Sequence, residues 1–351
     1  MGGTRRERRL GALAAVLLLL GGVVGSRGGA TSPPGSDGPS AAVRRAGTTT
    51  AGSARAGGTW RAETITTSAG EQVHLEVSDG YASDPQFTRS WAEFFGGLVH
   101  GPELAQVTIR IVAPTELESS CGTEALGCYA TGRIVIPGEQ VGGVEPAEIA
   151  RHEYGHHVAA TRRNPPWNAS TWGPKRWATQ ARICPRAASG EISPDSYASY
   201  ELSPREAFAE VYRVLNDRRA GVAALTWSIV DDSFIPDEAA LHAAEEDVTR
   251  PWVGATPTKV AARFRTSGSR RWTRAIPTPF DGQLTVELRL PAGRDDRVEL
   301  LDVDGRVLAR GLWAGTSAKR LAFVVCGQRA LRVRVSLRGR PGTFGLTIAR
   351  P

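Results

Sequence analysis

Lysine and long apolar runs are both scarce in this 351-residue chain. Only three lysines, Lys175, Lys259 and Lys319, stand among its 43 basic residues. So strong a preference for arginine is typical of codon bias and gives no indication of a phosphate-binding surface. The longest apolar run, residues 10–24, holds about 15 residues, whereas a transmembrane helix needs roughly 20. The composition therefore argues against a nucleic-acid-binding protein and against an integral membrane protein.

The net positive charge is concentrated in part near the N-terminus. Residues 1–30 hold five Arg and one Glu, so they account for four of the seven net charges. Arginines precede the apolar run, and the small residues Gly28, Gly29 and Ala30 follow it. This order is typical of a bacterial secretory signal cleaved after Ala30, with an uncleaved membrane anchor as the alternative. Residues 31–59, rich in Gly, Ser, Thr and Pro, are predicted to form a disordered spacer.

Cysteine is also scarce, with four residues: Cys121, Cys128, Cys184 and Cys326. An even number of cysteines in an exported chain predicts two disulfides, for which three pairings are possible. We favour Cys121 with Cys128, because two glycines lie between them and suit a local hairpin. Cys184 would then pair with Cys326 across two domains. Cysteine ligation of a metal is the weaker alternative, because the chain has no C-x-x-C pair.

The pattern of apolar residues changes near residue 256 and divides the chain after the spacer into two predicted domains. Residues 60–252 combine short strands with segments of helical periodicity. Residues 256–351 contain short alternating runs separated by turn signals such as Asp281-Gly282. We therefore predict an α+β domain followed by an all-β sandwich.

An H-E-x-x-H motif, formed by His152, Glu153 and His156, lies within residues 145–161, which are predicted to be helical. Positions i and i+4 share one face of a helix, so the two imidazoles would lie side by side and suit one tetrahedral zinc ion. Glu153 cannot reach the same coordination site and is instead positioned to accept a proton from a water at the metal. The alternative is a chance match to the motif. His157 points about 100° away round the helix and would support the site or lie at the surface.

The chain has no acidic residue between Glu153 and Glu191, which limits the choice of a third metal ligand. A catalytic zinc site needs one more protein ligand and one position for water. The metzincin pattern does not fit, because its glycine and histidine positions hold other residues and the only methionine is Met1. Four carboxylates remain as candidates: Glu191, Glu201, Glu206 and Glu210.

Two short motifs resemble a known family of peptidases. H-E-Y-G-H, followed some fifty residues later by S-Y-A and E-A-F-A-E, is similar to the catalytic domains of the anthrax lethal factor-like zinc peptidases. The resemblance implies a zincin fold, with Glu206 as the third zinc ligand and Tyr197 facing the remaining coordination position as a catalytic residue. The spacing from tyrosine to glutamate is two residues longer here, so Tyr200 is the alternative. Glu210 would orient a ligand, unless it is only a solvated charge on the helix.

A second resemblance concerns residues 256–351. The segments FDGQLTVEL, VELLDVDGRVLA and TFGLTIARP resemble the bacterial pre-peptidase C-terminal domain, a small β-sandwich appended to secreted peptidases. The two resemblances together imply an α+β zincin-like catalytic domain, in which a mixed sheet lies behind the active-site helix, followed by a β-sandwich.

These features predict a secreted zinc-dependent endopeptidase with Zn²⁺ as its cofactor. His152, His156 and Glu206 would bind the ion. Glu153 would act as the general base, and a tyrosine hydroxyl would stabilise the oxyanion. Strand 133–137 is the expected edge for pairing with an extended substrate. The expected partner is a protein or peptide substrate, without nucleic acid, without membrane contact beyond an uncleaved signal, and with the protein as a monomer.

Two alternatives keep parts of this prediction. One is a secreted binding protein whose sandwich recognises protein or polysaccharide and whose zinc domain is not catalytic. The other is an amidase that acts on cell-wall peptide with the same site. The intact Glu153 favours an enzyme, because a decayed site tends to lose its base.

Overall fold

The structure, a computed structural model, describes residues 42–44, 59–194, 199–222, 226–227 and 229–351. The predicted signal, nearly all of the predicted spacer, and Tyr197 lie outside the described residues. The described chain is mixed α/β, with one six-stranded sheet among its helices and two further sheets that follow them in the sequence. Within those residues, no helix is both long and apolar enough to cross a membrane.

Six strands form the first sheet: β1 (Ala42–Arg44), β2 (Trp60–Thr66), β3 (Gln72–Ser78), β4 (Thr108–Val112), β5 (Ala125–Ala130) and β6 (Arg133–Pro137). Their order is β1-β5-β6-β4-β3-β2, in which β3, β4 and β6 run parallel and the other neighbours pair antiparallel.

The position of β6 in this order corrects one prediction. The sequence analysis expected residues 133–137 to be a free edge, but β6 is paired on one side with β4 and on the other with β5. The expectation is wrong because residues 125–130 fold back on β6 as a hairpin and cover its edge. The strand next outward is β5, and β1 pairs along its other side.

The helices are α1 (Pro85–Gly96), α2 (Leu117–Cys121), α3 (Pro146–Ala160), α4 (Ala169–Trp172), α5 (Lys175–Gln180), α6 (Ile183–Ala188), α7 (Pro204–Arg219) and α8 (Glu238–Thr249). Short 3-10 turns occupy Pro102–Gln106, Pro114–Glu116 and Asp232–Phe234. Helices α1, α3 and α7 each begin with proline, whose missing N–H would have no partner in the first turn.

The alternation of side chains along β6 shows how the sheet is covered on both faces. Ile134 and Ile136 belong to the main core, which the sheet shares with α1, α3, α7 and α8. Val135, between them, belongs to a smaller cluster with Leu117 of α2 and Cys128 of β5. Because successive strand residues point to opposite faces, residues 134–136 of β6 are apolar on both faces and lie in the interior.

Helices α3 and α7 pack closely at Gly155, in the middle of α3. A Cβ atom at this position would lie 2.8 Å from the Cα atom and 3.0 Å from the carbonyl oxygen of Ala209. Only glycine allows this approach, since the obstructing atoms belong to the α7 backbone. The close approach brings the faces of the two helices that carry the H-E-x-x-H motif and Glu206 into contact.

The remaining strands are β7 (Thr258–Phe264), β8 (Arg271–Pro277), β9 (Gly282–Arg289), β10 (Arg297–Leu301), β11 (Val307–Arg310), β12 (Leu312–Trp313), β13 (Ala318–Val325), β14 (Ala330–Ser336) and β15 (Gly342–Ala349). They form a four-stranded sheet of order β11-β10-β14-β8 and a five-stranded sheet of order β12-β13-β9-β15-β7. Val298 and Val333 from the first sheet share one core with Val286 and Leu346 from the second. The predicted all-β segment is therefore a sandwich-like pair of sheets.

Both predicted disulfides are present in the structure. Cys121 is bonded to Cys128, and Cys184 of α6 is bonded to Cys326, 142 residues further along the chain. Two disulfides are typical of proteins from extracellular or other oxidising compartments. The second one joins the helical region to the turn between β13 and β14.

Further contacts hold α5 against the turn before β9. The buried Lys175 donates hydrogen bonds from Nζ to the carbonyl oxygens of Asp281 (2.8 Å) and Pro165 (3.0 Å). Thr179 accepts a hydrogen bond from the backbone N–H of Asp281 at 3.0 Å. The helical region and the paired sheets are thus joined by polar contacts as well as by a covalent bond.

Candidate metal centre

Helices α3 and α7 bring three buried metal-ligating side chains together: His152, His156 and Glu206. The Nε2 atoms of His152 and His156 lie 3.3 Å and 3.2 Å from the same oxygen, Oε2 of Glu206. The two imidazole rings, one turn apart on α3, have centroids 4.9 Å apart. The structure therefore places the two motif histidines beside Glu206, as the sequence analysis expected.

The spacing of these donor atoms fits a bound metal ion. Ligand atoms at about 2.0–2.2 Å from a tetrahedral ion are separated from each other by about 3.3–3.6 Å. The two nitrogen–oxygen distances, 3.2 Å and 3.3 Å, are close to this range. Two imidazoles and one carboxylate would leave one coordination position for water or substrate. The group could thus hold a metal ion of catalytic type.

A second carboxylate, Glu210, fixes the ring of His152 from the opposite side. Nδ1 of His152 lies 3.1 Å from Oε2 of Glu210. Arg213 in turn donates hydrogen bonds to both oxygens of Glu210, from Nε at 3.0 Å and from Nη2 at 2.5 Å. Because Glu210 is buried, it is not a solvated charge on the helix surface. A proton on Nδ1 would leave Nε2 of His152 with its lone pair directed at the metal position.

Arg213 connects this carboxylate to a wider buried network. It pairs with Asp217 one turn further along α7, and Asp217 accepts a hydrogen bond of 2.8 Å from Arg151 of α3. The sequence analysis did not single out Arg213. One feature of the sequence could have indicated it: Arg213 stands three residues after Glu210, at a spacing that allows contact on a helix, and the neighbouring positions are apolar.

The electrostatics of the centre in the absence of an ion favour an ionised glutamate between the histidines. Burial raises the pKa of Glu206, but His156 and His152 more than offset this and hold it below its usual value. Burial lowers the pKa of His156 to about 4, so this imidazole is neutral at pH 7. Burial also disfavours the charged form of His152, but hydrogen bonds to Glu206 and Glu210 raise its pKa to about 10. Metal binding would therefore displace a proton from His152.

Glu153 lies next to His152 on α3 and directly under strand β5. Its side chain is buried. A Cβ atom at Gly127 of β5 would lie 3.3 Å from Cγ of Glu153 and 2.5 Å from Cγ2 of Ile149. Gly127 therefore allows β5 to pass close over α3 at this glutamate. The sequence analysis used Gly127 only as part of a disulfide hairpin, although a glycine within a strand is a known signal of close backbone approach.

The structure describes one of the two tyrosine candidates. Tyr197 is outside the described residues, whereas the hydroxyl of Tyr200 is buried within the centre. The pKa of the Tyr200 hydroxyl is raised well above its usual value, mainly by burial and also by the nearby carboxylate of Glu206. Tyr200 therefore keeps its proton at neutral pH and can act as a hydrogen-bond donor.

The other residues considered as ligands lie elsewhere. Glu191 is exposed and pairs with Arg186 at 2.6 Å, and Glu201 is exposed before α7 begins. His157 is buried rather than at the surface, with Nε2 2.9 Å from the carbonyl oxygen of Glu103. It anchors α3 to the main core and does not face the metal position.

Comparison with known proteins adds little to this geometry. No protein-family model matches the chain, and no curated protein matches it. Solved structures that match parts of it include the following three, all at low TM-score.

The first is the pre-peptidase C-terminal domain of a collagenase from Bacillus anthracis, with 14% identity and a TM-score of 0.22, covering 26% of this chain and 87% of that one. The second is PliG of Aeromonas hydrophila, a periplasmic inhibitor of g-type lysozyme, with 7% identity and a TM-score of 0.20, covering 27% and 85%. The third is an aminopeptidase A of Legionella pneumophila, with 12% identity and a TM-score of 0.24, covering 81% of this chain and 36% of that one.

Proposed function

We propose that this protein is a secreted zinc-dependent endopeptidase, with a zincin-type catalytic domain at residues 60–252 and a β-sandwich domain at residues 256–351. The observation that carries the proposal is the buried group of His152, His156 and Glu206, with Glu153 beside it on the same helix. Zinc suits this set of two imidazoles and one carboxylate. A bound zinc ion would supply Lewis acidity, which polarises a peptide carbonyl and makes a water molecule more acidic.

The residues of the chain have separate tasks in this proposal. Glu153 accepts the proton of the attacking water and then transfers it to the nitrogen of the leaving amine. Glu210 orients the ring of His152 through Nδ1. The Tyr200 hydroxyl donates a hydrogen bond to the oxyanion, which its retained proton supports. Tyr197, the residue expected for this task from the family resemblance, stays a prediction.

The burial of the centre favours an enzyme over a binding protein with a decayed zinc domain. Glu153, Glu206 and Glu210 are all buried, and carboxylates taken from water are costly unless they are compensated. A binding protein would have no use for a buried base beside the metal ligands. A cell-wall peptide amidase would use the same residues and differ from the endopeptidase in substrate alone.

Hydrolysis of casein by the chain from residue 31 onward tests the proposal. We expect activity that a chelator abolishes and that stoichiometric zinc restores. The matched control is Glu153→Gln, which keeps the three ligands and removes the base. It should contain about one zinc per chain and lose roughly 10²–10⁴-fold in kcat. Casein hydrolysis that survives the chelator, or full activity of Glu153→Gln, would contradict the proposal.

A further inference from the structure

The basic charge of this protein is concentrated in its C-terminal region. Residues 256–351 hold 19 of the 43 basic residues and only 7 of the 36 acidic ones, a net charge of +12. The rest of the chain therefore has a net charge of −5, although it includes the arginine-rich segment 1–30. The moderate overall charge of +7 conceals this asymmetry, which indicates a polyanionic partner for the sandwich.

Part of this charge lies on the outer face of the four-stranded sheet. Val298, Leu300 and Val333 point into the core, so their strand neighbours on β10 and β14 point outward. The strand register sets these outward residues in rows across the sheet. One row runs from Arg310 through Glu299 to Arg334, and the next from Arg297 through Ser336 to Arg271. We call these residues the arginine face.

Glu299 at the centre of the face shows what chemistry it can bind. Arg334 holds one oxygen of this carboxylate from Nε at 3.0 Å and from Nη2 at 2.8 Å. Arg310 and Arg297 approach the other oxygen at 3.4 Å and 3.9 Å. One carboxylate is therefore shared by three guanidinium groups, and Arg271 in the next row adds a further positive charge. The face retains a strong positive excess after its internal pairing.

The arginine face also has the shape of a binding site. A cleft of about 410 Å³ opens on it. Its basic lining consists of Arg270, Arg271, Arg297, Arg310, Arg334 and Arg338. The side chains of Arg297 and Arg310 are 44% and 65% exposed, so their guanidinium groups can reach a ligand in solution.

We propose that the arginine face binds an acidic polysaccharide through the carboxylate groups of its sugars. Arginine can pair with a carboxylate in a planar, forked geometry. Arg334 already directs two N–H groups at one oxygen of the Glu299 carboxylate, so its guanidinium group is oriented toward such a ligand group. The lining includes no aromatic side chain on which a nucleic-acid base could stack. It also includes no exposed large apolar side chain that could enter a lipid bilayer. A uronic-acid polymer fits both the charge and the polar character of the cleft.

This inference is independent of the metal centre, because it concerns another region and does not require catalysis. The face belongs to the four-stranded sheet, whereas the metal ligands lie on α3 and α7. A protein bound to an anionic polymer in this way would be retained near that polymer whether or not it cleaves peptides.

Binding of the chain from residue 31 onward to alginate, a soluble polymer of uronic acids, tests the proposal. We expect saturable binding near physiological salt that weakens as salt rises, and no binding to a neutral glucan of similar length. The double variant Arg271→Gln/Arg297→Gln should bind alginate about tenfold more weakly, since each exposed ion pair contributes modestly. Thermal unfolding should be nearly unchanged, because both side chains are exposed.

The matched control removes equal charge from the other sheet. Lys259→Gln/Arg263→Gln changes two exposed residues of β7 and should alter the affinity by less than about twofold. If both double variants weakened alginate binding equally, the polymer would be responding to the net charge of the protein, and the assignment of the site to the arginine face would be overturned. Failure to bind alginate, or tighter binding to duplex DNA or to anionic lipid vesicles than to alginate, would overturn the choice of polysaccharide.

Discussion

Two glutamates one turn apart on α7 have different relations to the metal position. Oε2 of Glu206 faces the Nε2 atoms of both motif histidines, whereas Glu210 contacts one of them, at Nδ1 of His152. We expect Glu206→Gln to be isolated largely free of zinc, because an amide is a poor ligand. Glu210→Gln should keep zinc with about 10–100-fold lower affinity, because it weakens only the support of a ligand. Titration with a competing chelator measures both affinities, and the reverse order would show that the ligand assignment is one turn out of register.

The two tyrosines can be distinguished by removing one oxygen atom from each. Tyr200→Phe should lower kcat roughly 10²–10³-fold with little change in zinc content, because it removes a donor to the oxyanion. Tyr197→Phe is the matched comparison, since it makes the same change three residues earlier. Steady-state kinetics on a quenched peptide decide between them. A large loss for Tyr197→Phe together with near-normal kinetics for Tyr200→Phe would restore the role expected from the family resemblance.

The residues of the site that could be predicted from the sequence are those whose relation is local. His152 and His156 face the same way because their spacing equals one helical turn. The prediction that Glu206 lies beside these histidines came from a family resemblance. Tyr200 was only the alternative to Tyr197 as the tyrosine of the site. Arg213 was not found, because its contact with Glu210 matters only once burial removes water from both groups. Burial depends on long-range packing, which a local pattern does not encode.

At the scale of elements, the junction of α3 and α7 depends on one missing methyl group. Alanine is favoured over glycine within a helix by about 1 kcal/mol, so Gly155→Ala would stabilise an isolated α3. In the protein the new methyl group would meet the α7 backbone at 2.8 Å. We therefore expect a net loss of about 1–3 kcal/mol in the free energy of unfolding, and weaker zinc binding as the helices separate. Urea unfolding of the metal-free protein measures the first effect, and unchanged or greater stability would show that the helices can adjust.

Helices and strands were easier to predict from the sequence than the pairing of the strands in the sheets. The helix starts at Pro146 and Pro204 were predictable because proline favours the first turn. The strand 125–130 was overlooked because Gly127 and Cys128 interrupt its apolar pattern, and β6 was therefore mistaken for an edge. The arginine face could not be predicted either, since its rows depend on the pairing of strands far apart in the sequence, such as Arg271 with Ser336, 65 residues later.

At the scale of the whole molecule, the buried Lys175 makes the free energy of unfolding depend on pH. Burial lowers the pKa of Lys175 to about 8, whereas an unfolded chain would keep it near 10.5. The folded protein therefore binds this proton less tightly than the unfolded chain, and stability should rise as the pH increases from about 8 to 10.5. The neutral amine still has two N–H groups, so it can keep its hydrogen bonds to Pro165 and Asp281.

This pH dependence can be measured against a variant that lacks the amine. Between pH 7.5 and 9.5 the free energy of unfolding should increase by about 2 kcal/mol more in the native sequence than in Lys175→Met. Urea unfolding of both proteins at the two pH values gives the difference. An equal change in the free energy of unfolding for the two proteins would show that burial does not lower the pKa of Lys175.

The disulfide between Cys184 and Cys326 has a consequence when the protein is exposed to a protease. The segment from residue 253 to residue 257, which connects α8 with β7, is exposed and has no regular structure, so it is an accessible place for cleavage. A single cut there would leave two polypeptides joined by the disulfide, because Cys184 precedes the cut and Cys326 follows it. Such a nicked molecule would retain its helical region and its paired sheets as one particle until a reductant reduced the disulfide. The protein would thus pass from a one-chain to a two-chain form without losing mass.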